Sequence, residues 1–329
     1  KLTHPLSQDG GFFFFIFESF GYDTLYSMGS EQTLKHVIVD AEKRKTAVGH
    51  FNISNSDGLR GVFAAAKKLN VPVIIGTSEG ERDFIGVRQA VALVRSLREE
   101  FGYPIFLNAD HTYSFERVKE AVDAGYDAVI FDGARLPLEE NIALTKKCVA
   151  YARKQEALRQ AQGDQNASIL VEGELGYIGT SSKILDVIPE GAAITEELLT
   201  KSEEIERFVR ETGVDLVAPA VGNLHGMLKG GANPRLNIPL IKKLREAAGV
   251  PLVLHGGSGI RDEDFTSAIA AGMSIIHINT ELRLAYRQGI EAGLRENPDE
   301  IAPYRFMKKA VDSMESVAFN RLKLFNNQK

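Results

Sequence analysis

From Thr46 onward, short and continuously apolar runs alternate with longer stretches in which apolar residues recur every three or four positions. The runs are AVGHFN (47–52), VPVIIGTS (71–78), IFLNADH (105–111), DAVIFDG (127–133), ILVEGELG (169–176), DLVAPAVG (215–222), VPLVLHGG (250–257) and MSIIHINT (273–280). Between them lie stretches such as DGLRGVFAAAKKLN, FERVKEAVDAG, IPLIKKLREAAG and DEDFTSAIAAG, whose spacing predicts helices, several of them closed by Asn or Gly. Strands that are apolar throughout are covered on both faces, which implies a parallel sheet. Eight successive β-then-α units predict an α/β fold, a closed (β/α)8 TIM barrel. The alternative is an open doubly wound sheet, but no GxGxxG follows the first run. Residues 158–168 and 177–194 read as loops, and 298–325 as a further helical region packing on the barrel or on a partner subunit.

The N-terminal segment does not share this pattern. GFFFFIFESF (11–20) holds a Phe-rich run too short for a signal-peptide core and broken by Glu18. Met28 looks like a natural start, with Ser30 expected to cap the first helix and Glu31 and Gln32 in its first turn. The expected organisation is therefore an extension outside the core fold (1–27), a barrel domain (28–297) and a C-terminal helical extension (298–329).

Composition narrows the function. A chain of 329 residues suits two domains of ~150 residues or one barrel of ~250. Its 44% hydrophobic and 25% charged residues are ordinary for a globular protein. A net charge of −5 argues against a nucleic-acid partner. The single Cys148 allows no intrachain disulfide and suits a reducing cytoplasm. No apolar run approaches the ~20 residues of a membrane span, so no membrane association is expected.

Polar chemistry gathers where the runs end. Five of the seven histidines (His50, His111, His225, His255 and His277) fall at or just after the C-terminal ends of runs, the end at which barrels build active sites. Asp110, Asp132, Glu172 and Glu174 join them. Imidazoles with few carboxylates and no thiolate cluster suit Zn²⁺ or a similar ion with an open position to polarise a carbonyl. His111, His225 and His255 are the ligand candidates. Asp110 and His111 are adjacent on a strand, so their side chains are expected to diverge, one to the metal and one to substrate. HGGSG (255–259) and HINT (277–280) follow the seventh and eighth runs, the usual phosphate-binding place in a barrel, with Gly256 and Gly257 allowing close backbone approach and Thr280 able to cap a helix. No run ends in a lysine, and Lys183 and Lys229 lie in loops. Metal-assisted carbonyl chemistry is therefore favoured over an imine.

These motifs, with FNISN (51–55), TSEG (77–80), NADH (108–111), FDGARLPLEENI (131–142), VEGELG (171–176), VGNLHG (221–226), LHGGSG (254–259), INTELR (278–283) and ENPDE (296–300), resemble the class II, metal-dependent ketose-bisphosphate aldolases from about Met28 to Asn327. The resemblance implies a lyase of carbohydrate metabolism and glycolysis. It would cleave fructose- or tagatose-bisphosphate to dihydroxyacetone phosphate and glyceraldehyde 3-phosphate, or act on another phosphorylated ketose or deoxy sugar. A non-enzymatic barrel is the remaining reading.

Carried over residue by residue, Asp110 would be the acid/base and His111, His225 and His255 the zinc ligands. Asp132 and Glu174 would bind a second cation, divalent or monovalent, or an alternate site of the first. Asn52, Ser78, Gly226, Gly256, Gly257, Ser258, His277, Asn279 and Thr280 would line the phosphosugar site, and Arg135, Lys183 and Arg261 are candidates for the distal phosphate. A homodimer or homotetramer is expected. The chain departs from the family pattern in three places: Thr112 stands where Gly is usual and His277 where Asn is usual. The stretch YIGTSSKILDVIPEG (177–191) lacks the acidic pair whose Glu exchanges the C3 proton.

Overall fold

The computed structural model describes residues 32–164, 167–179, 182–192, 194–231 and 233–328. The expectation for residues 1–27 lies outside them. Eight strands alternate with helices: β1 (Val48–Asn52), β2 (Val73–Thr77), β3 (Ile105–Thr112), β4 (Ala128–Phe131), β5 (Leu170–Leu175), β6 (Leu216–Pro219), β7 (Leu252–Leu254) and β8 (Met273–Ile278). The helices are α1 (Leu34–Arg44), α2 (Ser56–Leu69), α3 (Glu79–Ile85), α4 (Val87–Phe101), α5 (Phe115–Ala124) and α6 (Leu138–Ala161). They continue with α7 (Ser202–Thr212), α8 (Ile238–Ala248), α9 (Asp262–Ala271), α10 (Thr280–Glu296), α11 (Pro303–Phe306) and α12 (Lys308–Phe325). The strands pair in parallel and close in the order β1-β8-β7-β6-β5-β4-β3-β2, so the open-sheet alternative fails and the eight-stranded barrel holds.

Period-2 alternation sorts each strand into two sets. One set, including Phe51, Ile75, Leu107, Val129, Val171, Val217, Leu254 and Ile276, packs with the helices. The other faces the barrel axis, and it changes character along that axis. At the N-terminal end Val48, Ile74, Phe106, Ala128, Leu170, Leu216, Val253 and Ile275 form an apolar layer, closed from below by Leu34, Val37, Ile38 and Ala41 of α1. Two residues further on, the same face carries His50, Asn108, Glu172, His255 and His277, all buried. The lower layer is a core; the upper layer contains groups that need partners.

Three local expectations are corrected. Thr33, not Ser30, caps α1: its extended backbone lets Oγ1 accept from the His36 amide at 3.4 Å, and Gln32 lies before the helix. The predicted loop 158–168 is helical through Ala161, because no helix breaker intervenes before Gly163, whose φ is +103°. Within the predicted loop 177–194, Ile184–Leu185 pairs in parallel with Met227–Leu228 outside the barrel. The C-terminal helix α12 buries Ala310, Met314, Ala318, Leu322 and Phe325 against this chain's own α2, α9, α10 and β1.

No helix of the described residues is long and apolar enough to cross a membrane. Cys148 is fully buried in α6, and burial pushes its thiol up to about 12. A disulfide reagent is expected to find no thiol in the native protein within an hour and one per chain in guanidinium. One fast equivalent from native protein would contradict this packing.

Candidate active site

The upper layer becomes a site because each inward position is filled by a chosen side chain. Gly76 on β2 makes room for the imidazole of His50, since a Cβ there would lie 2.1 Å from its Cε1. Between Ala109 and Thr112 the pairing of β3 with β4 shifts register, and His111 takes φ +36°. This bulge overturns the expectation that Asp110 and His111 diverge: both line the same cleft, with His111 Nε2 3.8 Å from Asp110 Oδ1. The buried Arg82 stitches the bulge in place. Its Nη1 donates to the Asp110 carbonyl at 3.0 Å and its Nη2 to Thr112 Oγ1 at 3.0 Å. Thr112 thus has a partner at a position where the resemblance implied glycine.

His111 reaches the axis from β3, His225 from the loop after β6, and His255 from the end of β7. One nitrogen from each lies within 4.8 Å of the others, close enough to share an ion. Each ring is tied back through its other nitrogen or flank. His111 Nδ1 meets Asp132 Oδ2 at 2.9 Å, His225 Nδ1 donates to the Gly179 carbonyl at 2.7 Å, and His255 Nε2 meets Glu172 Oε1 at 2.7 Å. Carboxylates and carbonyls behind imidazoles fix tautomer and ring orientation in metal sites. Glu174 Oε2 stands between two of the rings, 3.4 Å from His111 Nδ1 and 3.7 Å from His255 Nδ1. It groups with His111 and Asp132 as a second cluster able to hold a cation.

The charges call for a cation. Asp110, Asp132, Glu172 and Glu174 are gathered in one buried region, and among the described residues no lysine or arginine forms an ion pair with any of them. Asp110 Oδ1, Glu174 Oε2 and His255 Nδ1 are buried without hydrogen-bond partners. Such orphans are costly unless something binds them. Burial raises Glu172 and Glu174. Burial alone would also raise Asp110, but His111, His277 and His50 hold its carboxyl well below the usual range. Burial, reinforced by His111 and His255, takes His225 down to about 3 and keeps its ring neutral for ligation. The donor set therefore fits a zinc-like ion.

His50, His277 and His255 stack, with ring centroids 3.5 Å apart for the first pair and 4.2 Å for the second. Burial lowers His50 to about 4 and His277 well below its usual value, as stacked imidazoles require. The rings of His50 and His277 are 4° from parallel, so their in-plane lone pairs do not converge on one ion. His277 is part of the cleft wall, with His50 stacked behind it, rather than half of a second metal centre.

The cleft is bounded by Asn52, Asp110, His111, Ser182, His225, Gly226, Gly256, Gly257, Ser258, His277, Asn279 and Thr280. Gly256, at φ +63°, runs so close to the Leu224 carbonyl that a Cβ would sit 2.3 Å from it. Ser258 Oγ accepts from the amides of Asn279 and Glu281, fixing the N-terminus of α10 at the cleft. A larger hollow, lined among others by Glu42, Lys45, Arg245 and Gly272, lies at the opposite end of the barrel and has none of these groups.

Comparison with known proteins fits this geometry. Residues 32–329 match the family described as fructose-bisphosphate aldolase class-II. The chain belongs to that family. It is 34% identical over 298 residues to fructose-bisphosphate aldolase of Geobacillus stearothermophilus, covering 90% of this chain and 96% of that one. It is 32% identical to that of Staphylococcus aureus, covering 89% and 96%. Among solved structures, the YdjI aldolase of Escherichia coli K12 superposes with a TM-score of 0.71 at 30% identity, over 89% of this chain and 96% of that one. Membership places the chain among the class II aldolases, which are lyases.

Of the residues singled out from sequence, Asn52, Asp110, His111, His225, Gly226, Gly256, Gly257, Ser258, His277, Asn279 and Thr280 border the cleft. His255, Asp132 and Glu174 meet His111 from behind it. Ser78 does not border it: its hydroxyl donates to Glu81 Oε2 at 2.9 Å. Arg135 lies against the ring of Tyr177, donating to its hydroxyl at 2.7 Å. Sequence reasoning gave no role to Glu81, Arg82, Asn108 or Arg283. Glu81 and Arg82 look like ordinary helix-surface charges in TSEGERDF, yet they are 5% and 1% exposed.

Proposed function

We propose that the chain is a zinc-dependent aldolase that reversibly cleaves a ketose 1,6-bisphosphate, fructose- or tagatose-bisphosphate, to dihydroxyacetone phosphate and glyceraldehyde 3-phosphate. The observation that carries this reading is the convergence of His111, His225 and His255 beside Asp110, whose Oδ1 is unpartnered and aimed at the same space. Zinc bound by the three imidazoles would supply the positive charge that polarises the ketose carbonyl as negative charge develops. Asp110 Oδ1 takes the C4 hydroxyl proton, the C4 oxygen becomes the aldehyde carbonyl, and the C3–C4 electron pair stays with the ketone half. His277 faces Asp110 Oδ1 through Nδ1 at 3.4 Å. Its Nε2, buried without a partner in the cleft wall, is free to bond a substrate hydroxyl. Gly256, Gly257 and the start of α10 suit the phosphate.

One observation favours the second reading, another phosphoketose or deoxy sugar with altered proton chemistry. Among the described residues of 177–191 the two carboxylates do not border the cleft. Asp186 is exposed 3.6 Å from Lys229, and Glu190 is exposed too. Assembly into a homodimer or homotetramer is part of this proposal. A cytoplasmic role in sugar-phosphate metabolism completes the proposal.

Chelation should abolish cleavage of the preferred bisphosphate, Zn²⁺ or Co²⁺ should restore it, and borohydride with substrate should leave the enzyme active. Activity that survives chelation but is lost to borohydride would overturn the metal assignment. Failure of metal-loaded protein to cleave either bisphosphate would overturn the substrate.

A further inference from the structure

We propose that Glu81 is a positioning residue that fixes the orientation of the acid/base Asp110 through Asn52 and joins it to the phosphate-facing end of α10. The inference rests on the aldolase reading for its kinetic consequence, but not for its geometry. Glu81 lies at the start of α3, outside the barrel axis, and yet is 5% exposed. Its Oε2 accepts from Ser78 N at 2.8 Å, Ser78 Oγ at 2.9 Å and Asn52 Nδ2 at 2.8 Å, and its Oε1 accepts from Arg283 Nη2 at 2.6 Å.

The Ser78 contacts are ordinary helix capping. Capping explains neither of the other two partners, which come from β1 and from the first turn of α10, 29 and 202 residues away in sequence.

The Asn52 amide nitrogen has two hydrogens. One goes to Glu81 Oε2 and the other to Asp110 Oδ2, each at 2.8 Å. Two flanking acceptors leave the amide one orientation, because the reverse would set its oxygen against two carboxylates. With Oδ2 occupied in this way, Asp110 presents Oδ1, the unpartnered oxygen, to the cleft. Arg283 in turn anchors Glu81 from three residues beyond Thr280, which borders the cleft on the phosphate side. Glu81 must therefore be acceptor-only. A glutamine would keep size and helix position but turn a donor towards either Asn52 or Arg283.

The test is Glu81→Gln, with Arg283→Met and Arg283→Lys as companions. Glu81→Gln should lower kcat by roughly 10–100-fold, the range seen when an outer supporting partner is lost. KM should stay within about threefold and zinc per chain should be unchanged, because Glu81 touches none of the three imidazoles. Arg283→Met, at a side chain 44% exposed and tolerant of change, should reproduce a smaller loss, and Arg283→Lys should recover most of it. A crystal structure of Glu81→Gln should show the network broken at one end, either the Asn52 amide turned from Asp110 or Arg283 released from residue 81. Wild-type kcat in both Glu81→Gln and Arg283→Met, a kcat loss matched by zinc loss, or both the Asn52 and the Arg283 contacts unchanged would overturn the proposal. If Glu81→Gln does not fold, Arg283→Met decides by the same measures. Wild-type protein that cleaves neither bisphosphate would instead defeat the aldolase reading, and the crystal structure would still judge the positioning.

Discussion

Replacing Asp110 with alanine is expected to lower kcat by roughly 10²–10⁴-fold, the usual contribution of a positioned general base, while zinc content stays at the wild-type value. The expectation follows from how the carboxylate is held. One oxygen is fixed by Asn52 at 2.8 Å, and the other is buried with no partner. His111, His277 and His50 keep the group ionised despite its burial. An ionised, desolvated oxygen with nothing to accept is what a base needs before substrate arrives. Asp110 shares no hydrogen bond with His225 or His255, so its loss should leave two of the three ligand imidazoles undisturbed. His111 keeps its Asp132 tie at 2.9 Å. KM should change little, because the proton moves only in the transition state. Steady-state kinetics with metal analysis on the same sample checks this. A kcat within threefold of wild type would remove Asp110 from the proton transfer.

The barrel was legible because its cause is local. Eight apolar runs broken by helical spacing admit few arrangements once closure and right-handed crossovers are required. Much of the site was legible for the same reason. HFN, NAD and EGE place His50 with Asn52, Asn108 with Asp110, and Glu172 with Glu174 on one face of their strands, and strand polarity puts that face near the mouth. What could not be read is geometry that breaks the period. The bulge at Asp110–His111 turns two neighbours towards one cleft, and no residue type announces it. Its stabiliser, Arg82, sits 28 positions away in sequence from the carbonyl it holds.

Supporting groups were harder still. Glu172 was visible as an inward carboxylate, but its task depends on the 2.7 Å contact with His255, a partner 83 residues on. Glu81 and Arg283 carry charges that on isolated helices would face water; only packing shows them buried or bridged. The helix start was misread for the opposite reason. Ser30 and Thr33 are both good caps, and the choice rests on three residues of spacing.

The second large effect concerns the ion. His255→Ala is expected to drop bound zinc from one per chain to a negligible level at micromolar metal, and activity with it. Glu172→Gln should weaken binding only by roughly 10–100-fold, as expected for a partner behind a ligand. The two substitutions separate because the residues use opposite sides of one ring. Glu172 holds Nε2, which leaves Nδ1 buried and unpartnered where His111 and His225 converge. Deleting the ring removes a donor, whereas deleting the carboxylate leaves the donor present but free to rotate or change tautomer. Because the ion competes with protons for imidazole lone pairs, and Glu172 both makes His255 more basic and is itself raised by burial, the gap between Glu172→Gln and wild type should narrow as pH falls. Competition titration against a zinc chelator at two pH values measures all three affinities. If His255→Ala bound zinc as tightly as Glu172→Gln, Nδ1 would not be a ligand atom, and the charge of Asp132 and Glu174 would have to hold the ion instead.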